Sequence, residues 1–125
     1  MLPPISKYLD IYRTTCIVAL KELRFVGTSL DALRKFPEDA RREAGYELDQ
    51  VQRGRMPSDF RPLLSVGPGV YEIRIHAHGE WRIVYVAKFA SKVYVLHAFQ
   101  KKTQRTRKED IELAACRYKA VKECQ

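Results

Sequence analysis

At 125 residues the chain has the length of one compact domain, and with 46% apolar and 30% charged residues its composition is globular, not disordered. Its 23 lysines and arginines against 15 acids leave a net charge of +8, which favours a polyanionic partner (nucleic acid, anionic lipid or an acidic protein) without choosing among them. Three cysteines without ligand-like spacing (Cys16, Cys116, Cys124), no apolar run long enough to cross a bilayer and no signal-peptide plan argue against a disulfide scaffold or a membrane protein and point to the cytoplasm.

Residues 1–20 carry two early prolines and no sustained period, and read as an N-terminal arm without an assigned role. KELRFVG, Lys21 to Gly27, alternates and is rich in strand formers, so a short strand is expected. In TSLDALRKF, Leu30, Leu33 and Phe36 have helical spacing, Asp31 sits in the first turn, and Thr28 or Ser29 is placed to cap. Pro37 stops that helix and opens the next. The second helix carries Ala40, Ala44, Leu48 and Val51 on one stripe and ends at Gly54. RMPSDFRPLLSVGPG reads as a loop. The period then changes to two, and VYEIRIHAHG, EWRIVYVAKF and KVYVLHAF predict three antiparallel strands joined by tight turns. TRKEDIELAACRYKAVKE closes the chain as a helix whose apolar side is Ile111, Ala114, Ala115, Tyr118 and Val121. The expected fold is α+β: a small, antiparallel-rich sheet, an N-terminal helical hairpin and a C-terminal helix, with the helices on one face.

Strand parity separates Tyr71, Ile73 and Ile75 from Glu72, Arg74 and His76, and Ile83 and Tyr85 from Arg82. Glu72, Arg74 and Arg82 are therefore expected together on the open face. Two neighbouring arginines repel unless an anion such as a phosphodiester lies between them. A Glu72–Arg82 salt bridge with a spare solvated arginine fits the pattern equally well. Lys101, Lys102, Arg105, Arg107 and Lys108 crowd the turn after the last strand, where Phe99 offers a surface on which a base can stack. A solvated basic loop is the plainer reading. His97 is either a general acid–base group or a strand histidine with ordinary hydrogen bonds. His76 and His78 share a strand face but lack a third ligand, so no metal site is expected. Trp81, Tyr85 and Tyr94 read as packing residues.

The stretch from Val70 to Tyr118, with its E-I-R strand, W-R-I-V-Y, V-L-H-A-F-Q-K-K-T-Q and the following D-I-x-x-A helix, resembles the RelE/HigB superfamily of toxin endoribonucleases, in its HigB-like, phage-related branch. FPEDARREAGYELDQVQRG and FRPL fit the same branch. The resemblance covers about residues 22 to 122, and the toxin domain is assigned to 21–125. It implies a RelE-like fold and metal-independent, cofactor-free cleavage of mRNA, often on the ribosome, by attack of a 2′-hydroxyl on the adjacent phosphate. It also implies a cognate antitoxin, in this branch often a helix-turn-helix DNA-binding protein. By the same resemblance Glu72 and Arg74 take the places of two strand lysines, Arg82 that of a strand arginine, and Lys101 or Lys102 that of basic turn residues. The sequence departs at Glu72, where RelE carries a lysine. The roles expected are charge stabilisation by Arg74 and Arg82, backbone binding or proton donation by Lys101 and Lys102, and proton removal by Glu72 or His97. Arg61, Phe99, Arg105, Arg107 and Lys108 hold RNA. The rival expectations are a non-catalytic RNA- or ribosome-binding module and an inactive relic that binds only an antitoxin.

Overall fold

A computed structural model describes residues 20–124, so the arm expected over residues 1–20 lies outside the described residues except for Leu20. Strand β1, Glu22–Phe25, leads into α1, Ser29–Arg34, and α2, Glu38–Gln52. Strands β2, Phe60–Pro62, β3, Val70–His76, β4, Glu80–Val86, and β5, Lys92–Gln100, follow, and α3, Lys108–Glu123, ends the chain. The five strands form one sheet in the order β1-β5-β4-β3-β2. Its three longest strands are the antiparallel meander read from the sequence, whereas the edge strand β1 lies parallel to β5.

Local chemistry explains the boundaries. Pro37 stands at the entry of α2 with φ −57°, where its missing N–H costs nothing, and Gly54 closes the helix in the left-handed region at φ 84°. The cap expected at α1 takes another form. Thr28 occupies the N-cap position without a side-chain cap bond, and the buried Ser29 hydroxyl donates to the Val95 carbonyl, tying α1 to the sheet. Part of the stretch read as loop pairs with β3 as β2, Arg61 opposite Glu72. Pro62 is tolerated because β2 is an edge.

The helices do not share one face. The hairpin buries Phe36, Ala40, Ala44, Leu48 and Val51 against Ile73, Ile75, Ile83, Tyr85, Val93 and Val95. Helix α3 crosses the opposite face, where Ala114, Tyr118 and Val121 cover Val70, Val84, Val86 and Leu96. The physical reason lies in the strands themselves. The parity that carries Glu72 and Arg82 also carries Val70, Val84 and Val86, and that apolar half requires a cover. Burying each of these side chains stabilises the fold by about 2 kcal/mol.

A bulge then resets parity in β5. The β4–β5 register shifts between Val84, which faces His97, and Tyr85, which faces Val95, so Leu96 is the extra residue. Leu96 and His97 consequently both lie on the α3 side, and Phe99, opposite Arg82, follows His97.

Candidate functional site

The α3 face is apolar at one end of the sheet and polar at the other. At the polar end Arg74 and Arg82 are direct cross-strand neighbours in register, and Arg82 in turn faces Phe99. The side chains expected on an open face are deeper than that. Glu72 is 0% exposed and Arg82 5%, because Arg61, Thr106 and the strand row around Phe99 close over them. Only Arg74 is left half-buried at the rim.

Buried charge needs partners. One Glu72 oxygen accepts from Arg61 Nε at 3.2 Å and the other from the Thr106 hydroxyl at 3.2 Å. Arg82 Nε lies 3.9 Å from Glu72, so the simple cross-strand salt bridge is a secondary contact. Arg82 Nη1 donates instead to Glu80 at 3.2 Å and to the Trp81 carbonyl at 2.9 Å. Arg74 Nη1 lies 3.8 Å from Asp59. The Nε groups of both Arg74 and Arg82 are buried without a hydrogen-bond partner among the described residues, so donor capacity remains at the centre of this face. Lys101 stands at the same place. Burial, then the adjacent Arg82, pulls its ammonium below the ordinary lysine range, with Glu72 opposing and Arg61 and Arg74 adding to the fall.

His97 is buried. Its Nε2 lies 2.8 Å from an Asp110 oxygen in the first turn of α3, and its ring stacks on Phe99 at 5.0 Å. The second Asp110 oxygen takes Arg107 Nε at 3.3 Å, and His97 Nδ1 has no partner among the described residues. This pair pins the basic turn to the sheet in the same cross-strand row as Glu72, since both Glu72 and His97 face Val84. Lys102, Arg105, Arg107 and Lys108 are exposed, and an open groove of about 570 Å³ runs between Arg61, Ser65, Gln104, Arg105 and Lys108.

His76 and His78 do not share a face. His78 leaves the strand at φ 55° and reaches Asp39 of α2 at 2.9 Å, whereas His76 lies between Asp59 and Glu80. No group of three or more His, Cys, Asp or Glu side chains placed to hold a metal ion occurs among the described residues. Trp81 and Tyr85 pack as expected, and Tyr94 is half-buried edge-on to Phe89. Sequence reasoning passed over Thr106, Asp110, Asp59 and Glu80. Asp110 had a signal, an acid in the first turn beside Arg107. Glu80 had one as well, two residues before Arg82 on the same parity. Asp59 had none, because its place depends on β2 pairing.

Residues 31–119 match the family model described as Phage derived protein Gp49-like (DUF891). The chain belongs to this family, a RelE/HigB-like toxin family. Among solved structures, it is similar to the E. coli toxin RelE, determined in the free state as a double arginine-to-alanine mutant. The TM-score is 0.57 at 20% identity over 83% of this chain and 99% of that one, a likeness of fold. No curated protein matches the sequence. No described helix is long and apolar enough to cross a membrane.

Proposed function

We propose that this Gp49-like protein is the toxin of a toxin–antitoxin pair and a metal-independent endoribonuclease that cuts mRNA on the ribosome in the cytoplasm. The activity is placed in residues 21–125. The observation that carries this reading is the register pair Arg74–Arg82 with Lys101 beside it, three cations at one sheet end whose two arginine Nε groups have no hydrogen-bond partner among the described residues. That arrangement suits a pentavalent phosphorane, whose charge spreads over its equatorial oxygens. Arg74 meets the phosphate from the rim and Arg82 lends charge from the floor. Lys101, whose ammonium gives up its proton more readily than an ordinary lysine, donates to the leaving 5′-oxygen. Proton removal from the 2′-hydroxyl falls to His97, oriented by Asp110. Glu72, wholly buried and hydrogen-bonded to Arg61 and Thr106, anchors that arginine and the basic turn rather than acting as the base. Phe99, Lys102, Arg105, Arg107 and Lys108 hold the RNA, and the ribosome supplies positioning. A cognate antitoxin, in this reading a helix-turn-helix protein, covers the same cations.

The depth of Glu72 and Arg82 favours one rival, a relic that binds RNA or antitoxin without cleaving. Induced expression in a bacterium, wild type beside Arg82→Ala, with mapping of mRNA 5′ ends, separates the two. Growth arrest with new in-frame ends, absent from the soluble variant, supports the nuclease. Normal growth without new ends from soluble wild type overturns it.

A further inference from the structure

One cluster beside this site has a charge state set by a single ring. His76 Nδ1 lies 2.8 Å from Glu80 Oε2, and His76 Nε2 lies 2.7 Å from Asp59 Oδ2. A neutral imidazole has one N–H and satisfies only one of these acceptors; the imidazolium satisfies both. The same two carboxylates face the arginines. Glu80 Oε1 accepts from Arg82 Nη1 at 3.2 Å, and Asp59 Oδ1 lies 3.8 Å from Arg74 Nη1. Each carboxylate is thus shared between His76 and one arginine. Two arginines and an imidazolium against two carboxylates leave one net positive charge; with neutral His76 the cluster sums to zero.

We propose that His76 is a positioning residue for the Arg74–Arg82 pair: as the imidazolium it occupies Asp59 and Glu80 and leaves the pair net positive toward a phosphodiester. When it loses its proton, Asp59 and Glu80 draw the two guanidinium groups to themselves. The inference rests on the nuclease reading only for the identity of the anion. The hydrogen bond to Asp59, then that to Glu80, raises the His76 pKa, and the switch therefore operates above the ordinary histidine range. Asp59 precedes β2, Arg74 lies on β3, and Glu80 and Arg82 lie on β4; Glu72 of β3, 3.9 Å from Arg82, is offset by Arg61 of β2 at 3.2 Å, Lys101 follows β5, and His78 faces away to Asp39.

The test uses the full chain and two probes, inorganic pyrophosphate and an RNA oligonucleotide made uncleavable by 2′-O-methyl groups. Binding of each is measured from about pH 6 to about pH 9, with NMR titration of the His76 ring. Loss of one charge at this range predicts that affinity for both probes falls about tenfold as His76 deprotonates. His76→Gln, checked for folding by its melting curve, binds weakly at every pH. In a Lys101→Arg background, which keeps the charge without titrating in this range, the fall persists. A flat wild-type profile, or an unchanged fall in His76→Gln, overturns the inference. A pH-dependent affinity for pyrophosphate without any for RNA upholds it while removing the nuclease reading. RNA binding with a flat profile does the reverse.

Discussion

Ile73 and Glu72 are neighbours in sequence, both fully buried, and they face opposite worlds. Ile73 belongs to the hairpin side, where the sheet contributes only apolar side chains to a continuous core. Glu72 belongs to the α3 side, where one end is equally apolar but the other buries a carboxylate, an arginine and a histidine–aspartate pair. Apart from Ser29 and Glu47, whose polar atoms are hydrogen-bonded to Val95 and Ser58, the hairpin side buries apolar side chains. The α3 side accepts the cost of desolvating charge and offsets it with specific partners, a pattern expected where a surface has a task beyond folding.

Truncating both residues sharpens that contrast. Glu72→Ala leaves Arg82 buried beside an emptied site and releases Arg61 and Thr106, and is expected to cost about 3 kcal/mol of stability. It also makes the site more positive, so the salt dependence of RNA binding steepens. Ile73→Ala is expected to cost about 3 kcal/mol through the cavity alone and to leave the salt dependence unchanged. Denaturant midpoints and anisotropy titrations at several salt concentrations measure both. Equal changes in salt dependence would erase the distinction between the faces. Arg82→Ala is next, with a cleavage rate about 100-fold lower and a smaller change in melting temperature, because Glu72 retains Arg61 and Thr106. A variant that cuts RNA at the wild-type rate removes Arg82 from the mechanism.

The hairpin side was almost fully legible in the sequence. Its helix stripe Ala40, Ala44, Leu48 and Val51 and its strand residues Ile73, Ile75, Ile83 and Tyr85 follow simple periods, and each is buried as read. On the α3 side, parity in β3 and β4 correctly placed Glu72, Arg74 and Arg82 together. Three other features escaped. The valines at 70, 84 and 86 mark half of that parity as apolar, which sends α3 to this face and buries the charges. The bulge at Leu96 changes parity in mid-strand, and no local residue pattern announces it. Asp59 reaches His76 only through the β2–β3 pairing, a long-range event.

The two faces also separate in how they respond to pH. Lys101 is the next test, since its ammonium is held below the usual lysine range by burial and by Arg82. As a proton donor it is active below that lowered pKa, and the cleavage rate falls as pH rises through it. The alkaline limb of the pH–rate profile is therefore expected below the ordinary lysine value of about 10.4. Lys101→Arg, which cannot give up its proton there, abolishes the limb along with most of the rate. An alkaline limb in the ordinary lysine range excludes Lys101 as the acid. Nothing on the hairpin side bears on this profile.

The smallest effect expected is on stability. The His76 pKa is raised in the folded protein, chiefly by the hydrogen bond to Asp59 and then by that to Glu80. The folded state thus holds this proton more tightly than the unfolded chain. The resulting stabilisation is fully present below the unfolded histidine value of about 6.5 and disappears as pH rises through the raised folded value. His76 is half exposed, at 51%, so salt screens the contribution and the shift in melting temperature is small. Melting curves of wild type and His76→Gln are expected to differ most at the acid end of that window and to converge above it. The partners account for the direction: Glu80, held below the usual carboxylate range mainly by His76, stays ionised throughout the window, so the imidazole proton alone is exchanged. A gap between the two curves that widens with pH would mean that neutral His76 is the stabilising form and that the carboxylates serve Arg74 and Arg82 at all times.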